Sequence, residues 1–587
     1  MYQRVYYAEK RSGTFADVLL AYGLAAILDE ILAQALGRET RRRVWIRDAG
    51  PYYAVMLEQP LQPEWAENCT YFASPAAYVT TGRTEPPPAG VRARDVDETW
   101  GQFRTYQAVR ERVRGASEIT DDLRRQVEDA QPPHDWAVVT LLGDTRMQAL
   151  TTYNRAVAQW ALTRDYFNFN LQTILEMSAV LNADLDAIAD NWRRTVRVPG
   201  VRCDLTALQL LNPHQGKGQN QAKANVLDMD NLRSFWLLEY LKAVGLWLCA
   251  APRIVQGDTD RKIYVLAPLN VTLATHQAVF ETFSTRLWNE TAVKMDCIAA
   301  LLYTDTLLEY SEAGQYDELD FEGYGPENVV AGFHVVQYKL LSRNAYTAIS
   351  LAFLGLPAWT GEVHSRQEVL DLRKVIQEHR EVIDSIDEGR SDGYNLLLGY
   401  RDFLSGQRWN DFFVFAAGYS HYAMSRMAQG QRWVPLFTTT SLRRLIMATN
   451  KPLTVIVENP GFQNVAYAIR HSTVIPQSRK AQGKDTLYEI RYGLGMDMKR
   501  KATVRDDFVI ALADFMQSYN QENSQVFEKN RQQMRRDLRT TDVEEVVRLV
   551  DAYGPEVVAN LLVAYGYARE PREDTGTGEP TNETSTE

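Results

Sequence analysis

The sequence predicts an α+β chain: a mixed N-terminal and central region followed by a C-terminal helical bundle. Over the first two thirds, short β-branched and aromatic runs bounded by turn residues alternate with apolar residues at helical spacing. Beyond Glu362 the strand signals fade and long helical patterns take over. At 587 residues the chain exceeds what one hydrophobic core usually supports, so several domains of roughly 100 to 200 residues each are expected.

In chain order, a short polar start leads to Thr14–Leu36, where Phe15, Val18, Leu19, Tyr22, Leu24, Ile27, Leu28 and Leu32 recur mostly at three and four, the spacing of an apolar helix that Gly37 ends. Val44–Ile46 and Tyr52–Met56 read as strands joined by the turn Asp48-Ala49-Gly50-Pro51. Thr81–Gly90, with three prolines, is a loop. Trp100–Ala130 is charged and helix-permissive, and Gln131-Pro132-Pro133 stops it. Trp136–Leu142 is a candidate strand. Gln148–Val180 is helical, with Trp160, Tyr166, Phe167 and Phe169 placed as core residues rather than as a base-stacking platform. Lys262–Pro268 and Val335–Leu341 are further strands, with helix between them to Leu308 and an acidic, glycine-containing loop at Tyr310–Asn328. Helices are then expected at Val369–Asp387, Tyr394–Leu404, Asp411–Ala428, Leu442–Ala448 and Asp507–Leu549. The implied domains are residues 1-200, a central region 201-389, a helical bundle 390-570 and a disordered acidic tail 571-587.

Hydrophobic residues at 45% and charged ones at 24% are ordinary for a globular chain. A formal net charge of -11 disfavours tight, autonomous binding of nucleic acid, so any such contact is expected from local patches or shared with partner subunits. Cys69, Cys203, Cys249 and Cys297 are widely spaced with no CxxC pair, which points away from a zinc ribbon or disulfide framework. The start MYQRVYYAEKRSG lacks a secretory apolar segment, and no run approaches the roughly 20 apolar residues of a membrane span, so a cytoplasmic protein is expected.

Leu211–Cys249 says most about contacts. Its first half carries Gly216, Lys217, Gly218, Gln219, Asn220, Gln221, Lys223 and Asn225, a polar loop across 211-228 rich in donors. Leu232, Phe235, Trp236 and Leu238 then begin a helix that Asp228 or Asp230 can cap. Donors placed ahead of a helix start suit phosphate oxygens or a base edge, while a plain surface connection is the alternative. A Walker A loop is excluded, because Leu211 and Gly218 stand where that motif needs Gly and Ser or Thr.

A second signal lies between Arg470 and Arg505. Arg470, Arg479, Lys480, Lys484, Arg491, Lys499, Arg500, Lys501 and Arg505 face only Asp485, Glu489 and Asp497, a local excess of six positive charges. His471, Ser472, Thr473, Gln477 and Ser478 interleave neutral hydrogen-bonding groups, the mixture expected of a strand-backbone contact; a solvated loop is the alternative.

Catalytic signals are poor. The eight histidines are dispersed without an i, i+4 pair, and no nucleophile elbow is present. His134-Asp135 could open a metal-dependent HD hydrolase site, but no histidine cluster accompanies it. No catalytic residue, metal ligand or cofactor is therefore expected.

Three segments together resemble the large subunit of type I CRISPR surveillance complexes (Cascade), nearest the I-A and I-B branches. They are Ser12-Gly13-Thr14-Phe15-Ala16-Asp17-Val18 before an apolar helix, the loop LNPHQGKGQNQAKAN followed by NLRSFWLLEYLKAVG, and Ala468-Ile469-Arg470-His471-Ser472-Thr473 in a helical C-terminal region. The resemblance implies a non-catalytic subunit that works with guide RNA, target DNA and backbone subunits. It would recognise the motif flanking the target, help open the duplex and dock a helicase-nuclease. On that basis Lys217, Gln219, Asn220, Lys223 and Asn225 are the flanking-motif candidates. Arg470, Arg479, Lys480, Arg491, Lys499, Arg500 and Lys501 are the strand-backbone candidates. The rival readings are the HD hydrolase and a scaffold whose basic region meets another subunit's acidic face.

Overall fold

The computed structural model describes residues 1–37, 44–114, 116, 120–214, 232–255, 260–288, 291–312, 326–342, 345–361, 363, 365–406, 408–484, 486–529 and 535–571. Helices dominate, and the sheets lie in the N-terminal and central region, so the α+β expectation holds. The chain divides into two compact units, Met1–Arg373 with Leu404–Gly406, and Lys374–Phe403 with Gln407–Glu587.

The first unit is built on two crossing helices, Phe15–Leu36 and Trp236–Cys249. Both are buried around most of their circumference, which their nearly continuous apolar sequences allow. Thr14 caps the first, its side chain accepting from the Ala16 N–H, and Gly37 ends it with φ +89°. At their crossing a Cβ added to Gly23 would lie 1.9 Å from the Leu241 carbonyl oxygen, and one added to Gly245 would lie 2.0 Å from that of Leu19. The backbones therefore touch where each helix carries a glycine.

Strands β1 (Val5–Glu9), β2 (Val44–Asp48) and β3 (Tyr52–Leu57) open the first sheet. The pairs β4 (Tyr78–Thr80) with β5 (Ala93–Asp95), and β6 (Asp204–Thr206) with β7 (Arg233–Phe235), stand apart from it. They are followed by β8 (Ala250–Val255), β9 (Asp260–Pro268), β10 (Asn270–Thr272), β11 (Val330–Ser342) and β12 (Ala345–Gly355). One antiparallel sheet has the order β1-β3-β2-β10 and the other β12-β11-β9-β8. Register pairs include Ile46 with Val55, Val271 with Ile46, and Val335 with Tyr264. The Phe15–Leu36 helix packs on both sheets, which fixes the position of its N-terminus.

The β2-β3 hairpin, the Phe15–Leu36 helix and the burial of Trp160 and Phe167 follow the sequence expectation. Other expectations need correction. Trp136–Leu142 is helical, part of Trp136–Gly143, because a fully buried apolar run satisfies a helix as well as a strand. The charged stretch from Trp100 is two helices, Val96–Arg114 and Asp121–Asp129, the second capped by Thr120. Gln148–Val180 breaks at Thr163 into Leu150–Leu162 and Phe167–Ala179. The central helix begins only at Trp236, after β7, and the proposed caps Asp228 and Asp230 lie outside the described residues.

In the second unit Trp409–Ala428, Thr439–Thr449, Pro460–Ser472, Val474–Ala481, Leu494–Lys501, Arg505–Lys529, Thr540–Tyr553 and Pro555–Gly566 are helices. Asn459 caps the third of these through the Phe462 N–H, with Pro460 at its first position. The single helix expected over Asp507–Leu549 is two, and Arg535 to Arg539 between them are not helical. Among the described residues no helix is long and apolar enough to cross a membrane.

Candidate functional site

The second unit sorts the basic segment into internal and external members. Arg470 is 5% exposed: one arm donates to the Tyr565 carbonyl oxygen at 2.9 Å and the other pairs with Glu570. Arg491 donates to Ser518 Oγ at 2.5 Å, lies 3.5 Å from Glu522 and covers the Phe515 ring. Both therefore hold the unit's own elements together, a correction to their place among the strand-backbone candidates. Ser472, Thr473 and Gln477 are likewise buried. His471 lies against Tyr467 with the rings tilted and their centroids 4.0 Å apart, and burial draws its imidazole down to about 4, helped by Arg535 and Arg470.

Lys499 is half-buried, and that burial lowers its ammonium pKa, opposed by Glu556. Arg500 and Lys501 share one carboxylate, Asp497, at 2.6 and 3.3 Å. The hydrogen bonds from Arg500 and Lys501 hold that carboxyl below its usual range. Their net contribution to the surface field is correspondingly smaller.

Arg479, Lys480 and Lys484 remain outward. The Val474–Ala481 helix ends at them, and a tight turn closes as the Lys484 N–H donates to the Arg479 carbonyl oxygen at 2.9 Å. All three side chains are exposed, and among the described residues none pairs with a carboxylate. Lys480 Nζ donates to the Tyr492 hydroxyl at 3.3 Å, which sets an exposed aromatic residue beside that ammonium. Leu487 and Met496 are exposed in the same segment. A turn that concentrates positive charge next to an open ring can hold a phosphate chain and stack a base.

The sequence reading missed Arg535. It is buried, donates to Glu522 at 2.7 Å, to the His471 carbonyl oxygen at 2.8 Å and to Asn523 at 3.0 Å, and lies 3.5 Å from the Tyr488 ring centroid. No local signal separates it from the arginines around it.

In the first unit Lys217, Gln219, Asn220, Lys223 and Asn225 lie outside the described residues. Asn212 and His214 line a cleft of about 170 Å³ that brings together described parts of two of the segments quoted above, Ser12–Val18 and Leu211–His214. Gly13, with φ +63°, makes the turn that lets Asp17 accept its N–H at 2.8 Å and that of Ser12 at 3.2 Å. Burial pushes the Asp17 carboxyl up against those hydrogen bonds. Across the cleft Lys242 Nζ donates to Asn212 Oδ1 at 2.6 Å and to Glu239 at 2.9 Å. His214 lies 3.4 Å from Thr14 Oγ1, its imidazole drawn down by burial and by Lys242.

No family model and no curated protein matches this chain. The HD dipeptide does not converge: Asp135 pairs with Arg94 at 2.8 Å, whereas the partly exposed His134 lies 3.8 Å from Glu281. Among the described residues no group of three His, Cys, Asp or Glu could hold a metal ion, and the four cysteines are buried free thiols.

Proposed function

We propose that the chain is a non-catalytic, nucleic-acid-binding large subunit of a type I CRISPR surveillance complex, working in the cytoplasm with guide RNA, target DNA and backbone subunits. The observation that carries this reading is the turn at Arg479, Lys480 and Lys484 with Tyr492 against it, a concentrated cationic surface on a chain of net charge -11. In such a complex base pairing reads sequence, and the protein supplies backbone contacts and recognition of a short flanking motif. The roles assigned are strand-backbone contact for Arg479, Lys480, Lys499, Arg500 and Lys501, with Lys484 added, and flanking-motif contact for Lys217, Gln219, Asn220, Lys223 and Asn225. Docking of a helicase-nuclease belongs to the same proposal.

Replacing Arg479, Lys480 and Lys484 together by Ala is the test. For single strands of any sequence, the slope of log affinity against log salt should flatten by about two. A slope equal to that of the unmodified protein removes this surface from the account.

A further inference from the structure

In the cleft of the first unit both wall cations are paired, and among the described residues one carboxylate is held by neutral amides alone. Glu9 pairs with Arg11 at 2.8 Å, Asp17 is occupied by the Ser12 and Gly13 amides, and Lys242 is balanced by Glu239. A phosphate or carboxylate would find no uncompensated positive charge there and would meet the Asp17 carboxylate, so the site calls for a ligand edge that donates hydrogen bonds. What remains is hydrogen-bonding capacity: a third N–H on Lys242, further lone pairs on Asp17 and the Tyr7 hydroxyl. Leu20, Leu185, Leu238 and Met177 supply apolar wall around these groups. At about 170 Å³ the space falls below the roughly 300 Å³ at which pockets for drug-sized ligands begin, so it suits one ring system.

An uncharged planar heterocycle with apolar faces and an edge of alternating donors and acceptors meets all of these conditions. We infer that the cleft takes a single unstacked nucleobase, with Asp17 and Lys242 against its edge and the leucines and Met177 against its faces. The inference rests on the reading that the chain holds polynucleotide. In a single strand the base has no pairing partner to lose, and the cost of unstacking it is offset by apolar contact and by hydrogen bonds to its pairing edge.

The experiment uses the full chain and a series of single strands, each carrying one 2-aminopurine, with anisotropy reporting binding and 2-aminopurine emission reporting unstacking. Since the faces are lined by Leu20, Leu185, Leu238 and Met177, with Tyr7 and the His214 imidazole the aromatic groups among the described lining residues, a captured base should brighten several-fold at one position. Leu238→Trp and, on a different helix, Leu185→Trp fill the cleft without touching a charge. In both, the brightening should vanish and affinity fall about 10-fold while the salt slope stays unchanged. Binding without brightening, or brightening that survives both substitutions, overturns the cleft and leaves the nucleic-acid reading standing. Absence of any binding overturns both.

Discussion

Gly245→Ala is expected to destabilise the first unit by about 3 kcal/mol, although alanine is the better helix former. Its methyl carbon would lie 2.0 Å from the Leu19 carbonyl oxygen, a backbone atom that no rotamer change can move aside. The two central helices must separate, and their separation loosens contacts along the whole crossing. Gly23→Ala meets the Leu241 carbonyl oxygen at 1.9 Å and should cost about as much. Once the helices have moved, the second methyl finds space, so the double variant should cost clearly less than the sum. Hydrogen exchange of the Phe15–Leu36 amides measures this in the unit concerned, without assuming one cooperative transition for a two-unit chain. Protection equal to that of the unmodified protein would mean that the helices do not touch at these glycines.

Arg535→Ala should cost the second unit about 3 to 5 kcal/mol, because the guanidinium is 4% exposed on its side chain and all three of its nitrogens are used. Its loss leaves Glu522 with Arg491 at 3.5 Å, deprives the His471 carbonyl oxygen of a donor, and opens space between Tyr488 and Tyr519. Arg535→Lys should recover little of this, since one ammonium cannot reach acceptors set in a guanidinium's plane. Exchange protection of Arg505–Lys529 reports the outcome. Full protection in the lysine variant would reduce the interaction to simple charge pairing.

Those two sites also mark where sequence reading stops. The Phe15–Leu36 helix was legible because its large apolar residues recur mostly at three and four before a terminal glycine, and the β2-β3 hairpin because its turn chemistry is local. Trp136–Gly143 was not, since a run of buried apolar residues carries no period to distinguish helix from strand. Long-range pairing hid the charged interior. Arg253 donates to the carbonyl oxygens of Leu287 and Ser284, and Lys262 pairs with Asp296 at 2.6 Å across 34 residues. In the same way the basic segment held Arg470 and Arg491, which serve packing, beside Arg479, Lys480 and Lys484, which face outward, and composition alone could not sort them. The cleft was half legible: both segments that meet in it were singled out, but their meeting depends on the crossing of the two central helices.

Photo-cross-linking of the full chain to single-stranded DNA and RNA carrying a photoreactive base, with the adducts mapped by peptide, tests the nucleic-acid claim most directly. The account predicts adducts on peptides containing Arg479–Lys484 and Tyr492, diminishing as salt is raised. Adducts confined to other peptides, or none at low salt, would contradict it.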